Sequence, residues 1–321
     1  MPHPRVSFVV PVYNVRDQLS ECLDSILAQD GDFDVIAVDD ASPDDSGAIL
    51  DDYARADPRI HVLHLDANAG LGGARNAGLA AATGRYVWFV DSDDWLTDGA
   101  LAAVLPLLRD DPDVVVTDYE RAYPDGTVEP NPRSAALRRG GLADLLTVLP
   151  VVWNKLYRRD WLAEYGFTFA SGYYEDVAWT YPVLVTAERI AVLDRVCYRY
   201  RQGRSSSILG AADRRHFEIF TQYDRVFAYL DEHPELEQWR APLFDRMLRH
   251  YAMLLTLPDR VPPSQKREFF DLAAAAYRRL EPEAWQIPGG TTGIKPRAFA
   301  RGSYPAFRLA HTVSRLASRS D

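Results

Sequence analysis

The chain has 321 residues, a formal net charge of −10 and 47% hydrophobic residues, enough for one large domain or one and a half around a substantial core. The acidic balance excludes a phosphate-backbone binder with a basic footprint, so no nucleic-acid partner is expected. Two cysteines, Cys22 and Cys197, make neither a disulfide framework nor a metal set, and no apolar run spans a bilayer, which points to a reduced cytoplasmic setting.

In chain order, Arg5 to Val10 reads as a buried strand ending in Pro11-Val12-Tyr13-Asn14, a stretch too short and too interrupted for a signal peptide. An amphipathic helix follows, with Leu19, Cys22, Leu23, Ile26 and Leu27 on one face. A second apolar strand, Phe33 to Val38, ends in Asp39-Asp40, and the turn Ala41 to Ser46 feeds a helix carrying Ile49, Leu50 and Tyr53. Ile60 to Leu65 is a third strand. It leads into Asn68-Ala69-Gly70-Leu71-Gly72-Gly73-Ala74-Arg75-Asn76 and an Ala-rich helix to Thr83. A fourth strand, Tyr86 to Val90, runs straight into Asp91-Ser92-Asp93-Asp94. Strands alternating with helices call for a parallel sheet with right-handed crossovers, the plan of an α/β nucleotide-binding half.

Further on, Leu101 to Arg109 reads as a helix, Val114 to Thr117 as a strand and residues 121–141 as a loop or hairpin. Val151 to Tyr157 is strand-like, Gly172 to Asp176 introduces a helix to about Thr186, and Val196 to Tyr200 is a late strand before a polar loop, Arg201 to Ser207. From Ala211 the periodicity is helical, with Phe217, Phe220, Val226, Phe227 and Leu230 on one segment and Met247, Leu248, Tyr251, Leu254 and Leu255 on another. We therefore expect one domain over residues 1–210 and a helical C-terminal region over residues 211–321. The latter ends in a basic tail with Lys295, Arg297, Arg301, Arg308, Arg315 and Arg319. Such a tail suits an anionic membrane surface, a lead into a further domain, or a solvated terminal helix.

Ligands of open α/β sheets sit beyond the carboxyl ends of the strands, where these acids fall. Asp91 and Asp93 are spaced to share one hard cation, Mg²⁺ or Mn²⁺, which binds through one or two carboxylates plus substrate phosphates. A solvated acidic turn is the rival, but acids at several strand ends favour the metal. Asp39 and Asp40 suit hydrogen bonds to a base or ribose, although helix capping competes at Asp40 and Asp44. Gly70 to Arg75 nearly matches the dinucleotide fingerprint, but Arg75 replaces its last glycine and the loop follows the third strand, so that reading fails. What remains is a glycine-rich anion site with Arg75 to pair a phosphate. Glu175-Asp176 is open to two readings, a general base or acids favoured by a helix N-terminus. Lys155 reaches a phosphate or solvent, and Arg204 with Ser205 to Ser207 closes over a diphosphate or forms an ordinary loop. His61 and His64 fall on opposite faces of their strand, against joint metal ligation.

Four of these stretches together, Val9 to Asn14, Val38 to Asp44, Asn68 to Asn76 and Asp91 to Asp94, resemble in sequence and order the motifs of family 2 glycosyltransferases with the GT-A fold. Glu175-Asp176 resembles the family's catalytic-base motif. Trp153-Asn154-Lys155-Leu156 recurs in members that modify bacterial surface polymers. The helical part is similar to the N-terminal glycosyltransferase portion of actinobacterial teichoic acid polymerases. The resemblance implies a GT-A fold, a mixed Rossmann-like sheet flanked by helices, with a C-terminal helical appendage. It also implies metal-dependent inverting transfer of a hexosyl or N-acetylhexosaminyl group, most often UDP-linked, to a polymer or lipid-linked acceptor. By motif, Pro11, Tyr13, Asn14, Asp39 and Asp40 would hold the nucleoside, with Asn68 and Gly70 also at the donor. Arg75 and Asp91 would orient ribose, phosphate or sugar, Asp93 would hold Mn²⁺ or Mg²⁺, and Asp176 would deprotonate the acceptor. Ala41-Ser42-Pro43 departs from the family's common Gly-Ser-Thr, which loosens any inference about base specificity.

Two other classes compete. A nucleotidyltransferase uses similar carboxylates but has a Gly-rich basic loop after its first strand, where this chain has Pro11 to Asn14. A non-catalytic sugar-nucleotide module docking a partner enzyme has no need of Asp91, Asp93 and Asp176 together.

Overall fold

The computed structural model describes residues 6–131, 141–147, 150–203 and 212–317, with side chains as far as 311. The chain divides into two compact units, residues 1–203 and 204–321.

In the first unit, β1 (Val6–Val12), β2 (Phe33–Asp39), β3 (Ile60–His64) and β4 (Tyr86–Phe89) alternate with α1 (Arg16–Leu27), α2 (Ser46–Ala56) and α3 (Gly70–Ala81). The four strands pair in parallel in the order β3-β2-β1-β4. Every residue of β1, β2 and β4 is buried, which is why these strands read as continuous apolar runs: helices cover both faces. Gly78 of α3 lies so close to β1 that a Cβ there would stand 2.3 Å from Val9 Cγ1, so the helix packs tightly on the sheet.

The sheet then becomes mixed. After β5 (Trp95–Leu96) and α4 (Ala100–Val104) come β6 (Val114–Ala122), β7 (Val128–Asn131), α5 (Leu142–Leu145), β8 (Lys155–Arg158), α6 (Arg159–Glu164), α7 (Glu175–Thr186) and β9 (Ile190–Arg201). Strand β8 inserts antiparallel between β4 and β6, β9 runs parallel to β6, and β5 closes that side on β9. The expected helix Leu101–Arg109 stops early because Pro106 has no N–H to continue it, and a 3₁₀ turn, Leu107–Asp110, follows. The expected strand Val151–Tyr157 is shorter too. Asn154 donates to the Thr117 carbonyl at 3.3 Å and accepts from the Thr117 N–H at 2.9 Å, which holds Val151–Asn154 in a turn ahead of β8. The late strand is longer than expected, twelve residues with a register shift against β6 at Thr117 to Tyr119. Residues 121–131 form the hairpin that joins β6 to β7, and residues 132–140 lie outside the described residues.

The second unit contains α8 (Glu218–Glu232), α9 (Arg240–Thr256), α10 (Lys266–Leu280), α11 (Ile294–Ala300) and α12 (Tyr304–Ala317). Val226, Phe227 and Leu230 of α8 and Met247, Leu248, Tyr251, Leu254 and Leu255 of α9 are buried as their spacing implies. The described part of the basic tail is not a loose extension: Phe299 and Phe307 are buried with Phe270, at ring-centroid distances of 5.3 and 5.6 Å, while Arg319 and the side chain of Arg315 lie outside the described residues. No helix among the described residues is long and apolar enough to cross a membrane.

Candidate active site

The parallel strands end together on one edge. Pro11, the last residue but one of β1, is buried; beyond the strand Tyr13 is 49% exposed and Asn14 takes a left-handed backbone, φ 54°. The Asn14 N–H donates to Ser42 Oγ at 3.3 Å, tying the end of β1 to the turn after β2. Ala41, where the family commonly carries glycine, has φ 56°; a Cβ in that region costs about 1–3 kcal/mol and persists where surroundings enforce it.

Asp39 accepts from the Ser42 N–H at 3.0 Å on one oxygen and meets His64 Nδ1 at 3.0 Å on the other. Burial pushes its carboxyl up, but the bonds from Ser42 and His64 outweigh burial and hold it below the usual range. Asp40 accepts from the Ala69 N–H at 2.6 Å, while its carbonyl accepts from Asn68 Nδ2 at 3.1 Å. Asp40 does not cap the helix that follows it; its carboxylate holds the Ala69 N–H just ahead of α3. Asp44 does cap locally, accepting from the Ser46 N–H at 3.1 Å.

The stretch Gly70 to Asn76 works differently from expectation. Gly70 supplies a left-handed residue, φ 75°, at the first position of α3. At Gly72 a Cβ would stand 2.3 Å from the Ala170 carbonyl oxygen, so the missing side chain lets the backbone at 169–170 lie against α3. Asn76 fixes that contact with a reciprocal pair: its Nδ2 donates to the Phe169 carbonyl at 2.9 Å and its Oδ1 accepts from the Phe169 N–H at 2.8 Å. The segment so held leads into Tyr174, itself left-handed at φ 64°, and then into α7 with Glu175 and Asp176 in its first turn.

Arg75 is the centre of this arrangement. Its side chain is 1% exposed; Nη1 donates to Glu175 at 2.8 Å and to Asp176 at 2.5 Å, and Nη2 donates to Asp91 at 2.8 Å. The guanidinium also lies over the Phe169 ring, 5.4 Å from its centroid. Burial disfavours the charge, but Asp176, Asp91 and Glu175 together hold the pKa above that of an ordinary arginine. The expectation that Arg75 pairs a phosphate is therefore corrected: both terminal nitrogens are bound to carboxylates, and the residue joins acids from two elements, the end of β4 and the start of α7.

Burial, followed by repulsion from Asp176, raises Glu175. Burial also raises Asp176, with Arg75 opposing and Asp91 adding to the rise. Asp176 keeps 19% of its side chain exposed, so this acid, its proton affinity increased, still reaches the solvent-facing side. Lys155 needs the second correction. It is fully buried, and its ammonium donates to the Val151 carbonyl at 2.6 Å and to Asn154 Oδ1 at 2.7 Å. Burial lowers its pKa to about 7, with Asp176 opposing, and this ammonium does not stand at a solvent-facing phosphate site. Arg204 lies outside the described residues.

The turn Asp91 to Asp94 closes with the Asp94 N–H donating to the Asp91 carbonyl at 3.0 Å. Asp91 and Asp93 are half-buried and Asp94 is buried. Burial, then Asp93 and Asp91, push the Asp94 carboxyl well up, a sign of negative charge in excess. Among the described residues no group of three His, Cys, Asp or Glu side chains could hold a metal alone. The half-buried carboxylates of Asp91 and Asp93 are nevertheless the oxygen donors that suit Mg²⁺ or Mn²⁺, which take their remaining oxygens from phosphates and water.

Several residues here escape sequence reasoning. Tyr198 and Arg201 of β9 bond to the Asp91–Asp94 turn from about a hundred residues away, and only the sheet pairing of β9 brings them there. His64, whose pKa is raised by its bonds to Asp39 and Asp51, is paired at Asp51 by 3.1 Å.

Residues 7–166 match the profile of the family described as Glycosyl transferase family 2. Putative glycosyltransferase EpsH of Bacillus subtilis is 30% identical over 274 residues, 79% of this chain and 77% of that protein. The chain belongs to glycosyltransferase family 2. Uncharacterized glycosyltransferase EpsJ of the same organism is 34% identical over 216 residues, 63% of this chain but 62% of its own length, so the match spans less than two thirds of that relative. The crystal structure of Staphylococcus aureus TarS 1–349 in complex with UDP-GlcNAc superposes with a TM-score of 0.77 at 20% identity, covering 98% of this chain and 92% of that one. This family 2 glycosyltransferase therefore has the GT-A fold: a mixed sheet flanked by helices, with a helical C-terminal region.

Proposed function

We propose that this enzyme transfers a hexosyl or N-acetylhexosaminyl group, with inversion, from a UDP-linked donor to a hydroxyl of a cell-envelope polymer or its lipid-linked precursor. The observation that carries the reading is Arg75, which gathers Asp91 from the end of β4 and Glu175 and Asp176 from the start of α7 at 2.5–2.8 Å. One guanidinium thereby couples the donor-side strand end to the acid expected to act on the acceptor. Inverting displacement needs that pairing: a leaving diphosphate on one side and a base for the incoming hydroxyl on the other, with no covalent enzyme intermediate.

In this reading Tyr13 and Asn14 line the nucleoside together with Asp39, which Ser42 and His64 hold ionised. Asp40 and Asn68 shape the pocket from behind through the bonds that fix the start of α3, where Gly70 stands, and Pro11 holds the end of β1 beside them. Asp93, with Asp91 beside it, would hold Mn²⁺ or Mg²⁺, whose charge offsets that of the departing diphosphate. Asp176 accepts the acceptor's proton, helped by the burial that raises its affinity for one. The UDP preference is supported by the resemblance of the strand-end motifs and by the UDP-GlcNAc bound to TarS. A polymer acceptor is supported by the Trp153 to Leu156 motif.

Donor classes are separated by measuring Mn²⁺-dependent thermal stabilisation with UDP-, GDP-, CDP- and dTDP-sugars, since a bound donor raises apparent stability by mass action. Asp176→Asn should keep the UDP affinity within about twofold and lower transfer by about 10²–10⁴. Normal transfer by that variant would remove Asp176 from the role of base.

A further inference from the structure

The Asp91–Asp94 turn is held from behind by a set of groups that the transfer reaction itself does not use. The Tyr198 hydroxyl accepts from the Asp91 N–H at 3.1 Å and donates to Asp94 Oδ2 at 2.8 Å, so one oxygen spans the first and last residues of the turn. The other oxygen of Asp94 accepts from the Arg201 N–H at 2.8 Å. Arg201 Nε donates to the Asp93 carbonyl at 2.6 Å, and its Nη2 donates to Glu21 of α1 at 2.5 Å. The guanidinium rests on Trp95, 4.4 Å from the ring centroid. On the other side of the turn, Cys22 Sγ donates to the Asp91 carbonyl at 3.7 Å. The Tyr198 ring is itself fixed, stacked on Trp153 at 4.4 Å and 13°. The last strand thus bonds the Asp91 N–H, the Asp93 carbonyl and both carboxylate oxygens of Asp94.

We propose that Tyr198 and Arg201 are positioning residues that set the backbone of this turn, so that Asp93 presents its carboxylate to a divalent cation bound with a nucleoside diphosphate. The inference rests on the metal reading given above. Asp94 contributes as the bridge between the two: its carboxylate is consumed by Tyr198 and Arg201 and is not a ligand. A turn fixed in this way loses no backbone freedom when the cation arrives, so binding should be weakened when the bonds are cut, even where the fold survives.

The test is Mn²⁺ binding in the presence of UDP, read from the loss of the free-ion electron paramagnetic resonance signal, with Tyr198→Phe and Arg201→Met compared with the natural chain. Amide exchange across β1 and β4 monitors folding. Tyr198→Phe keeps the stacking ring and removes only the hydroxyl. Arg201→Met removes the bond to the Asp93 carbonyl but leaves the main-chain bond to Asp94. We expect each variant to weaken Mn²⁺ binding by roughly tenfold, to raise the Mn²⁺ concentration giving half-maximal turnover by a similar factor, and to keep kcat at saturating Mn²⁺ within about threefold. Folded variants that bind Mn²⁺ as tightly as the natural chain would overturn the positioning role and leave the metal reading standing. A natural chain that binds no Mn²⁺ with UDP would overturn both. Should Tyr198→Phe fail to fold, Arg201→Met decides the matter alone, because that side chain lies at the rim of the unit.

Discussion

Replacing Arg75 by methionine removes the guanidinium bonded to Asp91, Glu175 and Asp176 while keeping most of the side-chain volume. Breaking a buried charge pair by deleting one partner costs about 3–5 kcal/mol, because the remaining charges stay buried without compensation. The pH dependence follows from the acids left behind. Glu175 and Asp176 already have folded pKa values above their unfolded ones, so their contribution is fully present below the ordinary carboxylate range and is lost as pH rises through the raised folded values. Without Arg75 the folded values rise further and the window extends upward. The loss should therefore be smaller at pH 5, where both acids of the variant carry their protons, than at pH 8. The assay is hydrogen exchange of the slowest amides of β1 and β4, which reports the opening free energy of this unit without requiring both units to unfold together. A loss below about 1 kcal/mol at pH 8, or a loss that does not shrink toward pH 5, would refute the reasoning.

Gly78→Ala puts a methyl group 2.3 Å from Val9 Cγ1 and 3.2 Å from Val38 Cγ2, and should cost about 1–3 kcal/mol of first-unit stability in the same exchange measurement. Lys155→Met should change the calorimetric affinity for UDP with Mn²⁺ by less than about twofold, because the buried ammonium is bound to Val151 and Asn154; a tenfold loss would return that ammonium to the phosphates.

The parallel half of the sheet was legible because it is buried on both faces: a strand such as Val6–Val12 has to be apolar at every position, and its acids can appear only where it ends. The antiparallel half was harder. Strand Ile190–Arg201 carries Asp194 and Arg195 in its middle, where it shifts register against β6, so no period of two survives there. At the site, Asp91, Asp93 and Asp176 were readable as acids following or opening an element. Where their partners lie was not readable. Arg75 looked like a phosphate ligand because a glycine-rich helix start and a basic residue are the local signature of one. The carboxylates that occupy it are supplied by tertiary contact, through Gly72, Asn76 and Phe169. Lys155 was misread for a similar reason: nothing local reveals that the turn before it offers two acceptors to the end of a long side chain.

A hundred residues separate Arg75 from Glu175, so the acids of α7 are made well after the guanidinium they hold. Until the ribosome has extruded α7, the first four strands can assemble with Arg75 facing Asp91 alone, and the family profile ends at residue 166, just short of the missing acids. A fragment cut at that natural-looking boundary would carry Arg75 and Asp91 without Glu175 and Asp176, a latch with no catch. Such a piece should be made longer, past Thr186, before anyone asks whether it folds.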